Sequence, residues 1–392
     1  MNLRVTTGPR ARVTAGLAIG AVCLASCGAG APGATSAEPA APSLPTPLAT
    51  SVDGGGGTWA TVPMGNLAQP ANTFWQLFFR QDGAHTWSNQ VEATATATNG
   101  GLVLAPAGPS LLVGVRPSDL LTFTPLISTD DAGRSWSTGL ISQGLTSRPT
   151  GLAEAPNGDV LALVNRRVGP EVLESTRSLS SWQALITGEA LAATPTGPAC
   201  DPGPLTAVGF VPASTSSGAG GSTPASPVVG TSCRRPGVAG IFEQRKTGWQ
   251  IGGPRLSPGS GQAQVLGLFP SGDSLAALIG LSAGSAPGGG ATSLLAAWSG
   301  ARSAWASSTA LRLTKGAHLL SYGATPDGGL FVLVARPAGK DELAEASATR
   351  DGWQQLLPPP PGTTTVAFGP GSTVDALAAG RAVLTVWHLA RD

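Results

Sequence analysis

Charge is what this chain has least of. Of its 392 residues, 23 are Lys or Arg and 22 are Asp or Glu, 11% in all, where an ordinary soluble domain carries roughly 25%. The cations are almost all arginine; lysine occurs only at Lys246, Lys315 and Lys340. A formal net charge of +1 lacks the basic footprint that phosphate backbones require, which excludes nucleic acid as a partner. Histidine is equally scarce, and His85, His318 and His388 have no second ligand at metal spacing. No P-loop, dinucleotide fingerprint or Gly-x-Ser-x-Gly elbow appears in a strand-to-helix context, so neither a cofactor nor a metal is expected. After the first thirty residues there is no long apolar stretch of helical period, and 55 Gly and 34 Pro would break one, which excludes a helical bundle. What is present is 41% apolar residues and ten Trp, enough for a core. The class that remains is all-β.

The first thirty residues form an address. Arg4, Arg10 and Arg12 precede the apolar run Val13 to Ser26, which is too short to cross about 30 Å of hydrocarbon and has the form of a signal peptide. It ends in Leu24-Ala25-Ser26-Cys27-Gly28, which resembles the lipobox of bacterial lipoproteins. That resemblance implies cleavage before Cys27, lipidation of Cys27 and attachment to the membrane by acyl chains. The alternative is plain secretion, with cleavage after Ala29-Gly30-Ala31. Residues 27–56 are Ala, Pro, Ser, Thr and Gly without an apolar cluster, the composition of a disordered tether. The expected organisation is therefore a signal peptide at 1–26, a tether at 27–56 and a folded domain at 57–392.

Two markers recur through that domain. One is a polar turn closed by Trp, at Trp87, Trp136, Trp182, Trp249, Trp305 and Trp353. The other is a proline turn before an apolar strand, at Pro106, Pro156, Pro212, Pro270, Pro326 and Pro370. Asn-Gly and Asp-Gly in several of these turns supply the positive φ that tight hairpins need. Alternation of the two markers every fifty residues or so makes each unit a four-stranded antiparallel sheet, too small to bury both faces alone, and radial stacking solves that problem.

Thr129-Asp130-Asp131-Ala132-Gly133-Arg134-Ser135-Trp136 resembles the Asp-box repeat of sialidase-like β-propellers, Ser/Thr-x-Asp-x-Gly-x-Thr/Ser-Trp. Asp82 to Trp87 is similar but has Ala84 where the repeat has its glycine. The resemblance implies a β-propeller in which Asp82, Trp87, Asp131, Gly133 and Trp136 are structural turn residues between third and fourth strands, away from any site. Trp spacing predicts six blades, with a seventh partial blade as the alternative. The last blade is short of a fourth strand, and an N-terminal strand, Thr58 to Pro63 or the Trp87 strand, is expected to close it.

Little in the sequence carries chemistry. With Cys23 removed and Cys27 lipidated, Cys200 and Cys233 are the cysteines left, and outside the cytoplasm they are expected to form a disulfide around the insertion Ser214 to Ser226. Sialidase chemistry needs a Tyr nucleophile and an arginine triad; the lone Tyr322 lies in an apolar strand, where it reads as a core or channel-wall residue. No pair of acids stands out for glycoside hydrolysis, so no catalytic residue is assigned. Arg116, Arg166, Arg167, Arg234, Arg235 and Arg336 follow second strands and could gather on one rim. The functional expectation is a lipid-anchored extracytoplasmic propeller that acts as a non-catalytic binding or scaffolding module, with an envelope protein or a glycan as partner. The alternative is a carbohydrate-active hydrolase with a carboxylate pair at the channel mouth opposite the Asp-box turns.

Overall fold

The computed structural model describes residues 51–390 apart from 54–55, 66–72, 91–100, 109, 116–124, 138–142, 177, 213–224, 258, 283–290, 301–303, 338, 370–372 and 380–383. Signal peptide, Cys27 and nearly all of the tether thus lie outside the described residues, which belong to one compact unit, Ala40–Asp392.

Successive strands pair with their chain neighbours in antiparallel meanders. The first is β1 (Ser51–Asp53), β2 (Gly57–Met64), β3 (Phe74–Gln81) and β4 (Ser88–Asn89). A three-stranded sheet follows, β5 (Val103–Ala107), β6 (Ser110–Gly114) and β7 (Leu126–Thr129), with a bridge from Ser128 to Ser137 at its outer edge. Next come β8 (Pro149–Glu154), β9 (Val160–Arg166), β10 (Gly169–Ser175) and β11 (Gln183–Thr187). A short helix, α1 (Gly188–Ala192), is capped by the Thr187 hydroxyl and leads into β12 (Pro202–Val211), β13 (Ser226–Cys233), β14 (Gly240–Arg245) and β15 (Gly248–Ile251). One pairing, Ser232 with Gln264, joins this meander to β16 (Gln262–Ser271), β17 (Ser274–Ser282), β18 (Ser293–Ser299) and β19 (Trp305–Ser307), with β20 (Leu311–Arg312) also on β18. Then come β21 (His318–Ala324), β22 (Leu330–Ala335), β23 (Glu342–Ala346) and β24 (Trp353–Gln355). The chain ends in β25 (Thr365–Phe368), β26 (Thr373–Ala379) and β27 (Leu384–Ala390).

Second strands are apolar on both faces because a neighbouring sheet covers each side. Val160 to Val164 and Leu330 to Val334 are buried throughout, whereas fourth strands such as Trp353–Gln355 are largely exposed. A strand with alternating polarity could occupy only a half-covered sheet. The core is accordingly divided into clusters between successive sheets. Trp59, Leu77, Leu104 and Val113 fill the gap between the first and second. Val103, Leu112, Val160 and Leu173 fill the next. The last cluster packs Ala367 and Leu377, near the C-terminus, on Ala60, Val62 and Phe78, near the N-terminus. The arrangement is a closed β-propeller, with first strands innermost.

Pro106, Pro156, Pro212, Pro270 and Pro326 lie at connections from a first strand to a second; Trp87, Trp182, Trp249, Trp305 and Trp353 lie in or just before a fourth strand and Trp136 just before the Ser137 bridge, while Pro370 lies outside the described residues. Closure differs from expectation. Thr58 to Pro63 lies in β2, whose two edges are taken by β1 and β3, and Trp87 immediately precedes β4 on β3. Among the described residues neither candidate strand pairs with β25–β27; side chains hold that seam instead.

Candidate functional site

The turn after β7 consumes its own polar groups. The Thr129 hydroxyl donates to Asp131 Oδ1 at 2.9 Å and accepts the Gly133 N–H at 2.9 Å. Ser135 donates twice to the same carboxylate, through Oγ at 2.6 Å and its backbone N–H at 2.9 Å. These bonds, the Ser135 hydroxyl first, hold the Asp131 carboxyl down at about 2. Ala132 and Gly133 have φ of 58° and 82°, and a Cβ on Gly133 would stand 2.9 Å from the ring of Trp59 on the preceding sheet. Trp136 meets the same ring edge-on at 5.9 Å. In the Asp82 turn the backbone does this work: Asp82 N–H donates to Gly56 O at 3.1 Å and Ala84 N–H to Gln81 O at 3.0 Å. Trp87 turns away to the last sheet.

There the indole of Trp87 donates to Asp375 Oδ2 at 2.9 Å. Asp375, on β26, is 0% exposed and also pairs with the guanidinium of Arg80 and, at 2.7 Å, with His388 Nδ1. Arg80, at the end of β3, is 5% exposed; it reaches Thr58 Oγ1 at 3.4 Å and lies 5.1 Å over the Trp87 ring. Thr58 in turn donates to Phe368 O at 3.4 Å. This cluster stitches the last sheet to the first. Sequence reasoning missed Asp375, although an acid inside the apolar run Val374-Asp375-Ala376-Leu377 is the sign of a buried pair.

Cys200 and Cys233 are bonded, with Cα atoms 4.8 Å apart, and the bridge spans the β12–β13 hairpin around the insertion. Gly240 lies beneath it, where a Cβ would stand 2.9 Å from Cys233 Sγ and 3.0 Å from Cys200 Sγ.

On the axis lies a cavity of about 690 Å³ walled by first strands, from Val52 on β1 to Phe368 on β25. Most of the wall is apolar, with Leu102, Leu152, Val208, Leu266 and Phe269 among its residues. It reaches the proline turns, since Pro106, Pro156, Pro212, Pro270 and Pro326 border it. First and third strands run the same way in an antiparallel meander, so this end is also the end of the Trp turns. Among the described residues its lining holds one carboxylic acid, Glu154, and no Lys, Arg or His. Tyr322 is a channel-wall residue, as expected; its hydroxyl donates to Leu266 O at 2.8 Å and burial pushes it up to about 12. The carboxylate pair expected at the opposite mouth is not placed, and the segments 116–124, 283–290 and 380–383 lie outside the described residues.

Among the described residues no arginine lines the cavity. Arg166 pairs with Glu171 at 3.3 Å and donates to Gly144 O at 2.8 Å. Arg234 pairs with Asp201 at 3.8 Å, Arg235 caps Pro198 O at 2.8 Å and Arg336 pairs with Glu342. Arg116 lies outside the described residues. Among the described residues no three His, Cys, Asp or Glu side chains gather as a metal site.

No protein-family model and no curated protein matches the chain. Solved structures do. A xyloglucanase of Xanthomonas campestris is 14% identical, with a TM-score of 0.51 over 90% of this chain and 55% of that one. An oligogalacturonate lyase in complex with manganese is 10% identical, with a TM-score of 0.50 over 88% of this chain and 97% of that one. YCF48 bound to a D1 peptide is 15% identical, with a TM-score of 0.46 over 89% of this chain and 94% of that one. At such identities the likeness shows the fold alone, and that fold is the β-propeller.

Proposed function

We propose that this protein is a lipid-anchored, extracytoplasmic β-propeller that binds without catalysis and serves as a ligand-binding or scaffolding module of the cell envelope. The observation that carries this reading is the axial cavity, which is large enough for a ligand and mainly apolar. The disulfide supports an oxidising compartment. Among the described residues no helix is long and apolar enough to cross a membrane, and in this reading the anchor is the acylated Cys27 of the lipobox-like segment. We count seven blades, because seven meanders of consecutive strands are separated by core clusters, and we take the Asp131 turn as an Asp-box whose acid is structural.

The test is a cross-linked affinity purification of the tagged protein from membranes of its native host, with Cys27→Ala as the unanchored control. A stoichiometric envelope protein or glycan recovered with the anchored form and lost with Cys27→Ala is the expected result. Recovery of the propeller alone, together with turnover of an oligosaccharide panel, would replace this reading with the hydrolase.

A further inference from the structure

A net charge near zero conceals two oppositely charged ends. Antiparallel meanders send every first-to-second and third-to-fourth connection to one end of the propeller, that of the proline and Trp turns, and every second-to-third and fourth-to-first connection to the other. Besides Asp131, the proline and Trp turns carry Asp82, Asp130, Asp159, Asp273, Asp327 and Asp351 against the exposed Arg134, Arg245, Lys246 and Arg350. At the other end three acids are matched by cations of the same end, Glu171 by Arg166, Asp201 by Arg234 and Glu342 by Arg336. Beyond those pairs the described residues there include the acids Glu189 and Asp341 and the exposed cations Arg167, Arg235, Arg255, Arg312, Lys315 and Lys340. Cations thus collect on the end opposite the carboxylates.

The basic end is also where large apolar side chains meet water. Among the described residues Phe74, Val168 and Leu357 are 60%, 94% and 51% exposed, and all three lie there. Phe74 opens β3 opposite Met64, Val168 follows Arg167 in the β9–β10 turn, and Leu357 follows β24 on the way to β25. The chain enters from the same side. β1 runs from this end toward the end of the proline turns, and Ser51 comes 24 residues after Cys27, a length whose coil spans about 30 Å. A domain held that near a bilayer by an acylated Cys27 has its basic end closest to the lipid. Anionic headgroups attract this end and repel the acidic one, so both charges favour the same orientation.

We propose that the end formed by the second-to-third and fourth-to-first connections is a docking surface for an anionic bilayer, the one in which Cys27 is anchored, with the cations at the headgroups and Phe74, Val168 and Leu357 in the interface. The proposal deepens the lipid-anchored reading above and rests on it. Residues 27–392 with Cys27→Ala keep the whole compact unit Ala40–Asp392 and carry neither signal peptide nor acyl chain, so co-sedimentation with vesicles reads the surface alone. The probes are vesicles of phosphatidylcholine and vesicles of equal parts phosphatidylcholine and phosphatidylglycerol. Binding is expected on the second only, falling as salt rises from about 0.1 to about 1 M and the Debye length shrinks from roughly 10 to 3 Å. At roughly fivefold per basic residue near the surface, Lys315→Glu with Lys340→Glu lowers it by roughly 25-fold or more. Lys246→Glu with Arg350→Glu, the same charge change at the acidic end, leaves it nearly unchanged. Hydrogen exchange on the vesicles gains protection in the β9–β10 turn and around Lys340, not in the turns of Asp273 and Asp327. Equal binding to both vesicles, no binding to either, equal losses from the two double variants, or protection at the proline-turn end would each overturn the assignment. The unacylated chain can fail to bind vesicles while Cys27→Ala still releases the native protein from membranes, and it can bind while no partner is purified, so the two readings fall separately.

Discussion

Replacing Asp375 by Asn tests the seam where the propeller closes. The change keeps the shape of the side chain and removes its charge. One amide oxygen can still accept the Trp87 indole, but Arg80, 5% exposed, is left with its positive charge buried and without a carboxylate. Breaking a buried pair from one side costs about 3 to 5 kcal/mol, because the surviving charge has no compensation. That is a large share of the roughly 5 to 15 kcal/mol by which whole domains are stable, and at about 2 °C per kcal/mol for large domains it lowers Tm by roughly 6 to 10 °C. Urea unfolding followed by Trp fluorescence measures the loss directly. Hydrogen exchange locates it, with protection falling first in β26, β27 and the ends of β2 and β3, where the cluster connects the two sheets. The companion variant, Arg80→Met with Asp375→Leu, removes both charges and should recover most of the loss, since apolar replacement of a whole buried pair is close to neutral. A loss below about 1 kcal/mol for Asp375→Asn, the range of an exposed pair, would refute the claim that this cluster closes the ring.

Two further outcomes follow from the same geometry. Cys200→Ser with Cys233→Ser opens a loop of 33 residues and should cost roughly 3 to 4 kcal/mol on the chain-entropy account, read by urea unfolding against the oxidised parent; an unchanged midpoint would mean that the β12–β13 hairpin holds the insertion unaided. Tyr322 is the sole tyrosine, so the phenolate absorbance near 295 nm titrates one group, and burial pushes it up to about 12 from an unfolded value of about 10. A raised folded value means that the stability it contributes is complete below pH 10 and lost between about pH 10 and 12, so an ionisation midpoint near pH 10 in the folded protein would show the ring to be open to bulk water.

The strand order was legible because two kinds of turn punctuate it. Proline turns mark first-to-second connections and Trp marks the approach to the fourth strand or outer edge, and the markers among the described residues lie where the alternation puts them. The markers miss the ends. The first sheet has Trp87 but turns from β1 to β2 through the glycine run before Thr58, with no proline. The last sheet has no Trp turn among its described residues. Against the seven blades proposed above, a count of either marker therefore gives one unit fewer. The N-terminal strand expected to complete the last sheet was misplaced for the same reason: with β1 unrecognised, Thr58 to Pro63 looked like a spare strand when it is a second strand with both edges paired.

The site was less legible, and the cause is physical. Which acid is buried depends on which strand face meets a neighbouring sheet, and Asp375 shares the short apolar context of many exposed acids until β26 is placed in the last sheet and beside Arg80. The polarity of the cavity is further removed from sequence. Thr150, Thr206 and Tyr322 are ordinary strand residues, and nothing in their identity says whether their protons face the axis or the protein. Register decides it. The Thr206 hydroxyl meets Val265 O and the Tyr322 hydroxyl meets Leu266 O, each across a boundary between successive sheets, so the donors that bind first strand to first strand are the ones withdrawn from the channel. The same bonds thus hold the inner ring together and turn these two hydroxyl protons away from the channel.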